Sequence, residues 1–98
     1  MSKENKPEVA PSTCVDHDSE KYHIEIELPG VRKEDVELEV GDQSFCIRAP
    51  TKDLVYNTCY TLAHTIDTAK VDAKFDNGLL IVRMPFKAKI GGKKVAIK

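Results

Sequence analysis

The stretch Ala73-Lys74-Phe75-Asp76-Asn77-Gly78-Leu79-Leu80-Ile81-Val82-Arg83-Met84-Pro85 decides the fold. It reads as a hairpin. Asn77-Gly78 suits a type I′ turn, because both central residues must reach positive φ, which Asn tolerates and Gly adopts freely. Ahead of the turn, Val71-Asp72-Ala73-Lys74-Phe75 alternates apolar and polar positions. Behind it, Leu79 to Arg83 forms an apolar run with one charge, and Pro85 closes it. Pro cannot donate to a sheet ladder, so the second strand is expected to finish there.

Working outward, the same period recurs. Tyr22-His23-Ile24-Glu25-Ile26-Glu27-Leu28 alternates without a break, which is the signature of a half-buried strand. Tyr22, Ile24, Ile26 and Leu28 go inward, and Pro29-Gly30 stops the run. Val31 to Asp35 has room for one helical turn. Val36-Glu37-Leu38-Glu39-Val40 alternates again, and Gly41-Asp42 turns the chain. Ser44-Phe45-Cys46-Ile47-Arg48 follows, with Phe45 and Ile47 inward and Pro50 beyond. Thr51 to Tyr56 reads as a short connection, and Thr58 to His64, rich in β-branched and aromatic types, as a strand. Thr65 to Lys70 is a loop or a single helical turn. Thr13 to His17 alternates weakly and suits a short edge strand. No segment sustains ten residues of helical period. Short strands at roughly ten-residue spacing predict an all-β, two-sheet antiparallel sandwich.

Composition bounds what such a domain can do. At 98 residues the chain makes one domain. Its 15 basic and 16 acidic residues leave a net charge of −1, so no bulk attraction to nucleic acid is expected. No apolar run approaches membrane-spanning length, so no membrane partner is expected. The N-terminus is polar and lacks a hydrophobic signal core. Cys14, Cys46 and Cys59 are odd in number and irregularly spaced, which reads as free thiols in a reducing cytosol; the expected location is cytoplasmic. Residues 1–12 carry charge, two prolines and no apolar period, and are expected to be a disordered arm. Residues 13–86 form the sandwich, and 87–98 a flexible extension.

Two further stretches join the hairpin to give a family resemblance. Ile24-Glu25-Ile26-Glu27-Leu28-Pro29-Gly30-Val31-Arg32-Lys33-Glu34-Asp35-Val36 resembles the strand, Leu-Pro-Gly-Val loop and Lys-Glu-Asp turn of the small heat-shock protein (α-crystallin domain) family. Ala73-Lys74-Phe75-Asp76-Asn77-Gly78-Leu79-Leu80 is similar to that family's Ala, three residues, Asn-Gly, two aliphatics. Val95-Ala96-Ile97 resembles its C-terminal Ile-x-Ile/Val anchor. The resemblance covers about residues 13 to 98 and implies an immunoglobulin-like sandwich of the α-crystallin type. It implies an ATP-independent holdase that binds partly unfolded clients, works as a homo-oligomer of at least two subunits and needs no cofactor. It also implies a groove between the strands at Val36–Val40 and Val71–Phe75, lined by Leu38, Val40, Val71 and Ala73. Taken purely as residues of alternating strands, those four are core positions.

The chain departs from the family pattern in three places. About ten residues separate Ile47-Arg48 from the strand near Thr58, which leaves little room for the extra strand that many members swap between subunits. Thr58 or Cys59 stands where members usually place an arginine before the aromatic. The arm is short and polar. The short polar arm and the missing swap region favour a second reading, a module similar to CS-domain co-chaperones that binds one folded partner, while the Ala-x-x-x-Asn-Gly signature and the tail motif disfavour it.

The tail carries a physical argument of its own. Val95 and Ile97 sit two apart, so an extended segment presents both on one face, as β-augmentation requires. Burying both contributes about 3–6 kcal/mol before ordering costs. The rest of the chemistry is sparse. Cys14, Asp16, His17 and Asp18 share one short segment without a second cluster, so no metal site is expected. His64 near Asp67 has no nucleophile in a suitable context, and Gly91-Gly92 precedes no helix, so no enzyme is expected.

Overall fold

The structure is a computed structural model that describes residues 6–88 and 94–98. It contains eight strands in two four-stranded sheets, β1 (Glu8–Val9), β2 (Thr13–His17), β3 (Lys21–Glu27), β4 (Glu37–Gly41), β5 (Ser44–Pro50), β6 (Val55–Thr61), β7 (Asp72–Asp76) and β8 (Leu79–Pro85). One sheet runs β1-β6-β5-β4 and the other β2-β3-β8-β7. All pairs are antiparallel except β1 with β6. Single 3₁₀ turns occupy Lys33–Asp35 and Thr68–Lys70. The expected sandwich is the observed one.

The hairpin of residues 73–85 forms as its residue types dictate. Asn77 takes φ 52° and Gly78 φ 80°, as a type I′ turn requires. The backbone N–H of Leu28 donates to the Gly78 carbonyl at 2.7 Å, which ties the turn to the end of β3. Leu80, Val82 and Met84 of β8 alternate into the interior beside Tyr22, Ile24, Ile26 and Leu28 of the β3 segment. Phe45, Ile47 and Ala49 of β5 meet them from the other sheet, and Leu62, Ile66 and Phe86 close one end. Among the described residues no polar or charged side chain is buried.

Three expectations are corrected. The connection between β5 and β6 is shorter than its residues suggest. Pro50 pairs with Val55, and only residues 51–54 form the loop. Thr51 holds that loop shut: its Oγ1 accepts from the N–H groups of Asp53 and Leu54 and donates to the Leu54 carbonyl at 3.0 Å. Second, residues 7–12 of the arm expected to be disordered lie along the domain. Glu8 and Val9 add to the edge of β6, Val55 N–H donates to the Pro7 carbonyl, Asn57 Nδ2 donates to Glu8, and Lys6 Nζ donates to the Thr51 carbonyl. Third, the cysteines are not three free thiols. Cys46 and Cys59 face each other across β5 and β6, with Cα atoms 4.0 Å apart, and form a disulfide, which leaves Cys14 free.

Candidate functional site

The edges of the two sheets define where apolar surface remains on offer. β3 lies across from β6: His64 N–H, just beyond β6, donates to Tyr22 Oη at 3.0 Å, and Tyr56 Oη donates to the Pro29 carbonyl. β4 and β7, the last strands of their sheets, therefore fall together on the opposite side. Each has one edge without a strand partner among the described residues. The inner faces of both strands border the core.

Register sets which side chains of β4 and β7 point inward. Leu38 pairs with buried Ile47 and Val40 with buried Phe45, so both point between the sheets. Ala73 pairs with buried Val82 and Phe75 with buried Leu80, so the same holds on β7. Leu38, Val40, Val71 and Phe75 are half-buried and pack against the core, whereas Ala73 is exposed. Strand edges with one flank open cannot bury these side chains fully, and each retains apolar surface that a partner segment can cover. Phe75 was absent from the residues expected to line the groove, although its place in the Val71, Ala73, Phe75 alternation signals it. The outward residues of the same strands are Glu37 and Glu39 on β4, and Asp72, Lys74 and Asp76 on β7.

The tail residues lie elsewhere. Val95 is 75% exposed and Ile97 92% exposed, on a segment without regular structure. The Gly91-Gly92 tether lies outside the described residues. Open depressions of about 430 and 520 Å³ sit away from β4 and β7, at the end of the sandwich formed by Pro29-Gly30 and the Thr51–Leu54 loop. Lys6, Arg32, Asp35, Lys52 and Asp53 contribute charged groups to their walls.

The titratable side chains near β2 have structural work. Asp18 Oδ1 accepts from the N–H groups of Glu20 and Lys21 at 2.7 and 2.8 Å, and its Oδ2 meets His23 Nε2 at 2.9 Å. The hydrogen bond with His23 is the main influence holding the Asp18 carboxyl well below the usual carboxylate range, and the two backbone donors add to it. The His17 ring packs edge-on against Tyr22, His64 and Phe86. Asp67 caps the 3₁₀ turn through Ala69 N–H, so it does not serve His64. Among the described residues no three His, Cys, Asp or Glu side chains are grouped to hold a metal ion, and no helix is long and apolar enough to cross a membrane.

A two-sheet sandwich with half-buried apolar residues on two open edge strands, and exposed Val95 and Ile97 in the tail, offers surface on which another chain can dock. Comparison with known proteins makes the class specific. The family described as "Hsp20/alpha crystallin family" matches residues 15–98, and the chain belongs to it. It is 26% identical to small heat shock protein C4 of Rickettsia felis, over 95% of this chain and 67% of that protein. It is 28% identical to heat shock protein 16 of Schizosaccharomyces pombe, over 93% of this chain and 77% of that protein. Among solved structures, heat shock protein 16.0 of S. pombe superposes with a TM-score of 0.75 at 28% identity, covering 92% of this chain and 99% of the other. A small heat-shock protein from Xylella fastidiosa, 13% identical, shares the fold with a TM-score of 0.71 over 92% and 97% of the two chains. The family is one of chaperones, not enzymes.

Proposed function

We propose that this protein is an ATP-independent holdase. It masks partly unfolded clients along the β4–β7 groove and works as a homo-oligomer in the cytoplasm. The observation that carries the reading is apolar surface left at two open strand edges: Leu38, Val40, Val71 and Phe75 are half-buried against the core. Such surface suits extended, apolar, sequence-tolerant segments, because the ladder groups of an open edge accept any backbone while the side-chain knobs select for aliphatics. Ala73 sits exposed between Val71 and Phe75, and its small side chain leaves room for an incoming one.

Val95 and Ile97 fit the same groove, from a second copy or from the same one. Docking there covers the groove at rest, and release offers it to clients. A pair of aliphatic side chains contributes about 3–6 kcal/mol before ordering costs, which keeps such docking reversible.

The four-residue β5–β6 loop favours a second reading, because it has no length to cross to another subunit. On that reading the sandwich binds one folded partner, as CS-domain co-chaperones do. The test is light scattering of a heat- or reductant-denatured client without nucleotide. Suppression at a stoichiometric ratio supports the holdase, and unchanged scattering refutes it. Multi-angle scattering separates the alternatives further: a monomer of 10.9 kDa that stays monomeric on warming favours the partner module.

A further inference from the structure

We propose that Cys46–Cys59 is a reversible thiol–disulfide exchange site, an exposed redox pair on the outer face of the β4–β5–β6 sheet that takes two electrons from a dithiol reductant. This goes beyond the chaperone reading and does not depend on it.

Three observations carry it. First, the bond is redundant for topology. β5 and β6 already pair along their whole length from Ser44↔Thr61 to Pro50↔Val55, and the cysteines are only 13 residues apart. A cross-link whose role is to assemble a small fold joins elements that nothing else joins; this one joins neighbours already laddered together. Second, the pair faces water. Cys59 is exposed and Cys46 half-buried, on the face opposite to buried Phe45 and Ile47. A shallow groove of about 160 Å³ runs beside Cys46, with Glu39, Arg48 and Asn57 in its wall. Third, charged side chains stand beside the pair. Glu39 stands opposite Cys46 on β4, and Arg48 lies two positions along on the same face, where it approaches Glu37 at 3.9 Å. An exposed disulfide in polar surroundings is open to attack, unlike one sealed in a core.

The exchange balances as follows. A thiolate of the dithiol attacks the exposed Cys59 Sγ. The sulfur–sulfur electron pair passes to Cys46 Sγ, which leaves as a thiolate and takes a proton from water. The second thiol of the reductant attacks its own sulfur in the mixed disulfide. Cys59 leaves as a thiolate, takes a second proton, and the reductant departs oxidised. The strands stay hydrogen-bonded, so the fold persists while the β5–β6 hairpin loses its covalent clamp. Oxidation by a small disulfide reverses every step.

The test uses the full chain carrying Cys14→Ser, so that only this pair titrates. Mass spectrometry after thiol alkylation in denaturant should find no free thiol in the air-oxidised protein. After dithiothreitol in native buffer it should find two, with the β-sheet circular dichroism unchanged and reduction at least tenfold faster than global unfolding. The thermal midpoint should fall by on the order of 10 °C on reduction, because the unfolded chain regains the freedom the cross-link removed. Cys14→Ser/Cys46→Ser/Cys59→Ser should show the lower midpoint from the start, with no response to dithiothreitol. Two free thiols in the air-oxidised protein would overturn the proposal. So would reduction that proceeds only as fast as unfolding, or a dithiothreitol response that survives in the triple variant.

Discussion

Gly78 is the position where a single methyl group tests the geometry of the whole hairpin. Its φ of 80° lies in the left-handed region, next to Asn77 at 52°. A Cβ built on Gly78 would meet Pro29 Cα at 3.5 Å and the Leu28 carbonyl oxygen at 3.6 Å, both ordinary van der Waals distances. Gly78→Ala therefore suffers no clash, and its cost is the conformational one, about 1 kcal/mol. Gly78→Val adds two γ-carbons to a residue already at positive φ and close to the Leu28 backbone. It should cost about 2–3 kcal/mol, within the range for a strained backbone residue. The hydrogen bond from Leu28 N–H to the Gly78 carbonyl is at risk too, and with it the join between the hairpin and β3. For a domain this size, each kcal/mol lowers the thermal midpoint by roughly 4–8 °C. Urea unfolding followed by circular dichroism, at matched protein concentration, measures both variants against the parent. A loss below about 0.5 kcal/mol for Gly78→Val would refute the turn geometry, because a β-branched residue does not sit at that φ without strain.

Other predictions follow from the tail and from β2. Val95→Ala with Ile97→Ala should shrink the assembly seen by multi-angle scattering while leaving the unfolding free energy within about 0.5 kcal/mol of the parent, since both side chains are exposed; an unchanged size distribution would mean that the tail anchors nothing. The Asp18 carboxyl is held below its unfolded value, so its contribution is present above the usual carboxylate range and is lost as pH falls through the folded value. The stability gap between the parent and Asp18→Asn should accordingly be widest near neutral pH and close in strong acid, as urea midpoints at several pH values will show; a gap that does not change with pH contradicts that assignment.

Much of this architecture was legible because one side chain in two must be apolar when a strand has one dry face. β3 shows it most plainly, with Tyr22, Ile24 and Ile26 buried and Glu25 and Glu27 exposed. β1 was not legible. Glu8-Val9 has no alternation to read and pairs only because the β6 edge is free beside it. The start of β6 was missed for a related reason. Val55 and Tyr56 follow a proline and a polar loop, and only the Thr51 hydroxyl network shows how tight that loop is. The disulfide was not legible because an odd, irregularly spaced set of three cysteines reads as free thiols, and spacing alone carries no register. Once Pro50 pairs with Val55, four steps back along β5 and four forward along β6 bring Cys46 opposite Cys59. Alternation placed Leu38, Val40 and Ala73 on the inner face, while the incomplete burial of Leu38 and Val40 and the exposure of Ala73 follow from their place on edge strands.

The most direct test of the groove compares two charge insertions on β7 in a client-aggregation assay without nucleotide. Ala73→Glu puts a carboxylate on the inner face, at an exposed position that folding can tolerate. Lys74→Glu changes the neighbouring outward face. Both proteins should keep their circular dichroism and unfolding midpoints close to the parent. The account predicts that Lys74→Glu suppresses client scattering as the parent does, and that Ala73→Glu needs several-fold more protein for the same effect. Equal suppression by parent and Ala73→Glu would contradict it.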